Sequence, residues 1–142
     1  MCMSIRQTFM MVLVLVAIVC VSGCTDETAK FEAQVKATVN PDELQAWARN
    51  MISKASFHGR DSCVVGQSDI PKWVGLIYKD EGDPGEVTVE RSSEGDFVQI
   101  LYGGGFGHWG LAVGSPTLVL TTNGESGFQH LWKPGIYFWG SP

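Results

Sequence analysis

EVTVERSSEGDFVQILY, residues 86–102, holds two β-rich runs, 86–91 and 97–102, on either side of Ser92-Ser93-Glu94-Gly95-Asp96. Five small and polar residues between two such runs close a hairpin, and a connection this short makes the two strands antiparallel neighbours. Working outward, the same grammar recurs at 73–78, 110–113, 117–121 and 136–139, each run bounded by Gly, Pro, Asn or Asp. No helical period of useful length appears after Gly59. The downstream chain therefore reads as an antiparallel sheet of about five strands.

Upstream the period changes. Asn40 is a capping residue, Pro41 suits the first helical position, and Glu43 follows three residues after the cap as in a capping box. Val39 and Leu44 are placed for a hydrophobic staple. Leu44, Trp47, Ala48, Met51, Ile52 and Ala55 recur at intervals of three and four, and Gly59 offers a stop. The spacing predicts an amphipathic helix over about 41–56 that packs across the sheet with Trp47 and Met51 turned toward it. The expected class is α+β, one domain over 40–142. Residues 24–39 are polar, with Phe31, Val35 and Val39 spaced as one face of a short helix; the alternative is a plain tether.

The first 23 residues have the parts of an export signal: Arg6 near the start, an apolar run of 13 residues from Phe9 to Val21, then small residues. Thirteen apolar residues fall short of the roughly 20 that a membrane-crossing helix needs. The run ends in Val21-Ser22-Gly23-Cys24, which resembles the lipobox of bacterial lipoproteins. That resemblance implies cleavage between Gly23 and Cys24 and a diacylglyceryl thioether on Cys24. The alternative is ordinary cleavage that leaves Cys24 a free thiol. Several acyl chains on one residue hold a protein to a membrane durably, whereas one chain holds it only marginally. Thr25 after the cysteine, where enteric lipoproteins retained at the inner membrane carry Asp, resembles the signal for outer-membrane delivery. The expected address is thus the periplasmic face or outer membrane, and the expected partner is the membrane itself, through the N-terminal lipid.

Charge and cysteine content fit export. Loss of Arg6 leaves nine basic against fifteen acidic residues, a formal charge of −6, with no Lys/Arg run to neutralise phosphates; nucleic-acid binding is disfavoured. Cys2 and Cys20 leave with the signal and Cys24 is alkylated, so Cys63 is the only remaining thiol and no internal disulfide forms.

Gly103, Gly104, Gly105, Phe106, Gly107, His108, Trp109 and Gly110 form the least ordinary stretch. Gly105, Gly107 and Gly110 spell G-x-G-x-x-G, but Leu111-Ala112-Val113-Gly114-Ser115-Pro116 follows instead of the helix a dinucleotide site needs, so no nucleotide cofactor is expected. One reading is a bulged turn with Phe106 and Trp109 folded onto the core. The other is a ligand or partner surface built from Gly103 to Trp109, for a protein or glycan that the residues do not name. Together with 133–139 the stretch resembles a pattern in small bacterial proteins to which no activity attaches. Residues 107–114 also resemble the His-bearing strand of the NlpC/P60 and lecithin-retinol-acyltransferase superfamily of thiol hydrolases. That resemblance implies Cys63 as nucleophile, His108 as base and an orienting polar residue near Thr121 or Asn123. Gly66 and Pro71 interrupt the long helix the nucleophile would head, and the competing reading of Cys63 is a small buried apolar residue. A binding or structural module of the cell envelope, not an enzyme, is the leading expectation.

Four further patterns carry less. Gly124-Glu125-Ser126-Gly127 has its second glycine one place early for a serine nucleophile elbow. His58, His108, His130 and Cys63 lack zinc-site spacing, so no metal is expected. The acidic turn at 80–86 lacks the ligand ladder of a calcium loop. Most of Trp73, Trp109, Trp132, Tyr137, Phe138 and Trp139 are expected in the core.

Overall fold

The hairpin at 86–102 forms as its sequence dictates and lies inside a six-stranded antiparallel sheet, so the fold is α+β. The computed structural model describes residues 23–75, 77, 85–103, 108–121 and 128–141. In chain order the elements are α1 (Gly23–Thr38), α2 (Pro41–Lys54), β1 (Ser62–Val64), the single-turn α3 (Lys72–Gly75), β2 (Glu86–Glu90), β3 (Phe97–Tyr102), β4 (His108–Gly114), β5 (Phe128–Lys133) and β6 (Ile136–Ser141). The chain divides into two compact units, 1–33 and 34–142. The expected export signal, with Val21 and Ser22 of the stretch that resembles a lipobox, lies outside the described residues, as do residues 80–84 of the acidic segment and residues 124–127.

Strand order is β1-β2-β3-β4-β6-β5. The chain leaves β4, crosses to the far edge for β5, and returns through the Pro134-Gly135 turn so that β6 fills the gap. β1 and β5 are the two strands beyond the anticipated set. β1 is only three residues long, too short to show a period, and β5 (FQHLWK) has no strict alternation. On β2 and β3 the alternation is clear: Val87, Val89, Val98, Ile100 and Tyr102 all point to one face and are buried. Leu111, Val113, Ile136 and Phe138 extend that face across β4 and β6.

α2 packs against β3 and β4 on this face. Its cap is as read: the Asn40 side chain accepts from the amides of Asp42 (3.0 Å) and Glu43 (3.4 Å). Leu44, Gln45, Ala48 and Met51 are its buried residues, and each large apolar side chain placed there contributes about 1.5–3 kcal/mol. Trp47 differs from expectation. Its indole N–H donates to the Asp69 carbonyl (3.0 Å) and its ring meets Trp73 edge-on (6.2 Å), so it holds the 66–75 segment instead of facing the sheet. The helix ends at Lys54, before Gly59, with Ala55 extended as its C-cap. Gly59 sits in the following turn, which buries Phe57 under the Arg91 guanidinium (4.0 Å from the ring centroid). Residues 24–38 are helical, with Phe31 and Val35 buried and Val39 buried just beyond the end; at that end the Lys36 ammonium lies 5.1 Å above the Phe138 ring.

Two expected strands do not form. At 73–78, of which 76 and 78 lie outside the described residues, the Pro71 carbonyl starts a helical turn by accepting the Val74 amide (2.9 Å), which overrides the β preference of Trp73, Val74 and Ile77. At 117–121 the chain becomes a strap across the second sheet face. The Tyr137 hydroxyl donates to the Leu118 carbonyl (3.0 Å) and accepts the Leu120 amide (3.4 Å), while Glu94 accepts from both the amide and the hydroxyl of Thr121. Side chains thus supply the partners a neighbouring strand would have supplied. Leu118 and Leu120 pack with Ala112, Tyr137, Phe97 and Trp139.

Three measurements test these contacts. The buried Gln45 amide donates to the Pro134 carbonyl (2.7 Å) and, more weakly, the Gly114 carbonyl (3.4 Å), tying α2 to the far end of the sheet. Gln45→Leu keeps the volume but orphans those acceptors, and should lower stability by about 1–3 kcal/mol in urea unfolding with an unchanged m-value. At Gly110 a Cβ would collide with the Ile100 carbonyl and come within 2.9 Å of the Trp139 indole nitrogen, so Gly110→Ala should cost about 3 kcal/mol or more by the same assay. The Tyr102 hydroxyl is buried and donates to the Val74 carbonyl (2.9 Å); burial raises its ionisation above the ordinary value near 10. The unfolded chain then releases that proton first, so the contribution is complete below about pH 10 and is lost as pH rises further. Tyr102→Phe should cost about 1–2 kcal/mol at neutral pH and show a shallower alkaline decline. Parallel declines in the two proteins would contradict the assignment.

Candidate functional site

The glycine-rich stretch joins β3 to β4 at one end of the sheet. Of its residues, Gly103, His108, Trp109 and Gly110 are described; Gly104, Gly105, Phe106 and Gly107 lie outside the described residues. Gly103 has φ +82°, and a Cβ there would stand 2.9–3.0 Å from the Trp109 ring. The indole of Trp109 is therefore seated on bare backbone, half-buried and paired across the ladder with Tyr102. That is the packing role the sequence offers for a glycine before a large aromatic. His108 is the outward member: exposed, at the first position of β4 and opposite Ser141 of β6.

Strand alternation places His108 on the same face as Gly110 and Ala112, the face away from α2. Cys63 has the opposite parity. It stands level with Val89 on β1, shares the α2 face, and lines a small cavity of about 100 Å³ with Met51, Ala55 and Val89. Two strands separate β1 from β4, and the register Cys63, Val89, Val98, Val113 leaves His108 five residues further along. Strand spacings of about 4.8 Å and rises of about 3.3 Å per residue put the two Cα atoms on the order of 20 Å apart, on opposite faces. A nucleophile and its base need hydrogen-bond reach, roughly 3 Å. The structure does not bring Cys63 and His108 together. Thr121, named as an orienting residue, is engaged by Glu94 instead, and Asn123 lies outside the described residues. Cys63 is a free, half-buried thiol, not fully buried.

Among the described residues no cluster of three or more His, Cys, Asp or Glu side chains is placed to hold a metal ion. His58 and His130 are far from that role in different ways. His58 occupies a left-handed backbone position (φ +46°) with its Nε2 3.1 Å from the Ser56 hydroxyl, and His130 lies against Phe138 (5.4 Å between ring centroids).

The second sheet face also holds a surface that sequence reading passed over. Ser62, Glu86, Thr88, Glu90, Gln99 and Leu101 line an open groove of about 170 Å³ across β1, β2 and β3. Ser62 donates to Glu90 (2.9 Å). Its signal was available in the polar alternates of EVTVE and in Gln99, once those positions are assigned to one face. Beyond Leu101 the same face continues to Gly110, under the edge of Trp139, whose buried indole N–H has no hydrogen-bond partner among the described residues.

Separation of Cys63 and His108 has a thermodynamic signature. Sites this far apart without shared partners contribute additively. In a double-mutant cycle of Cys63→Ser and His108→Ala, the coupling measured by chemical denaturation should stay within about 0.5 kcal/mol; a coupling above about 1 kcal/mol would show that the two side chains meet. No protein-family model, curated protein or solved structure matches this chain, and its function is read from its own residues.

Proposed function

We propose that this chain is a bacterial lipoprotein precursor whose mature form is a non-enzymatic binding or structural module, held on the periplasmic or outer-membrane side of the envelope by lipid on Cys24. The observation that carries the proposal is Val21-Ser22-Gly23-Cys24 placed at the end of an apolar run of 13 residues, Phe9 to Val21. A run of that length engages export machinery without remaining as a transmembrane helix. Among the described residues no helix is long and apolar enough to cross a membrane. The lipid, in this reading, supplies the attachment.

The module reading draws its support from how the polar side chains are used. Gln45, Tyr102, Tyr137 and Glu94 each satisfy backbone groups that hold one segment to another. The one nucleophile and base suggested by resemblance lie on opposite faces of the sheet. Contact with a partner falls to the sheet end bearing Gly103 and His108, with residues 104–107 between them. Membrane attachment through acyl chains also explains how a protein of charge −6 stays on an anionic surface that would otherwise repel it.

The test is the chemistry of the N-terminus. Expressed in a bacterium with a lipoprotein pathway, the full chain should yield a membrane-bound product that begins at Cys24 and carries the added mass of a diacylglyceryl group and an amide-linked acyl chain. Cys24→Ala should accumulate as unlipidated precursor without label from radioactive palmitate. A wild-type product with an unmodified Cys24, recovered in the soluble fraction, would overturn the proposal.

A further inference from the structure

We draw no further inference here: the strongest candidate, the open groove on the sheet face away from α2 lined by Ser62, Glu86, Thr88, Glu90, Gln99 and Leu101, carries no ligand class because nothing in the structure shows what covers it.

Discussion

The structure depends on β4 being buried on both faces. Gly110 to Gly114 are all buried, although β4 belongs to an antiparallel sheet, in which one face is commonly left to solvent. Leu111 and Val113 meet the helix side; Gly110, Ala112 and Gly114 lie under Trp139 and the strap at 115–121. A strand in that position demands a cover on each side, and polar side chains fasten both covers. Gln45 fastens α2 through carbonyls at the β4 and β6 ends, and Tyr137 fastens the strap through Leu118 and Leu120. Small residues at alternate positions of β4 are what let the strap come close. Gly114 has the Leu118 side chain where its own Cβ would be.

This double cover explains where sequence reading succeeded and where it stopped. The helix at 41–54 and the strands β2 and β3 were legible because one period rules each, three to four for Leu44, Ala48 and Met51, two for Val87, Val89, Val98 and Ile100, whereas β4 and β6 were legible as short β-rich runs bounded by Gly and Pro. The strap was misread because TLVLT has the composition of a strand; its fate was set by a hydroxyl 17 residues away. The segment at 73–78 was misread for a local reason, Pro71, whose influence on the next four residues outweighs their side-chain preferences. β1 and β5 escaped notice because three residues, and six with a bulge between Leu131 and Lys133, leave no clean alternation.

The candidate site divides along the same line. Gly103 and Trp109 were read as either packing or recognition, and the indole sits close on the bare backbone of Gly103 while remaining half-buried. His108, one residue from Trp109, has the opposite parity and is exposed. A single step along a strand thus separates a half-buried position from an exposed one, and no composition or motif reports that step without knowledge of the register. The proposed lipid anchor rests on a different kind of signal. Export and acylation act on the unfolded N-terminal segment, so their signal is written in consecutive residues and needs no register at all.

Parity also governs what chemistry the sheet can assemble. Side chains converge across strands only when the register gives them the same face, and then only over one or two strand spacings. Cys63 fails both conditions with respect to His108, whereas Ser62, Glu90, Thr88 and Gln99 meet both with respect to one another. The polar groups that do converge are short hydroxyls, an amide and carboxylates on adjoining strands, with one internal hydrogen bond between Ser62 and Glu90. Such a set presents hydrogen-bond donors and acceptors together on one face. The sheet that buries β4 on both sides therefore leaves its open area on the β1 to β3 flank, where its polar alternates face solvent together.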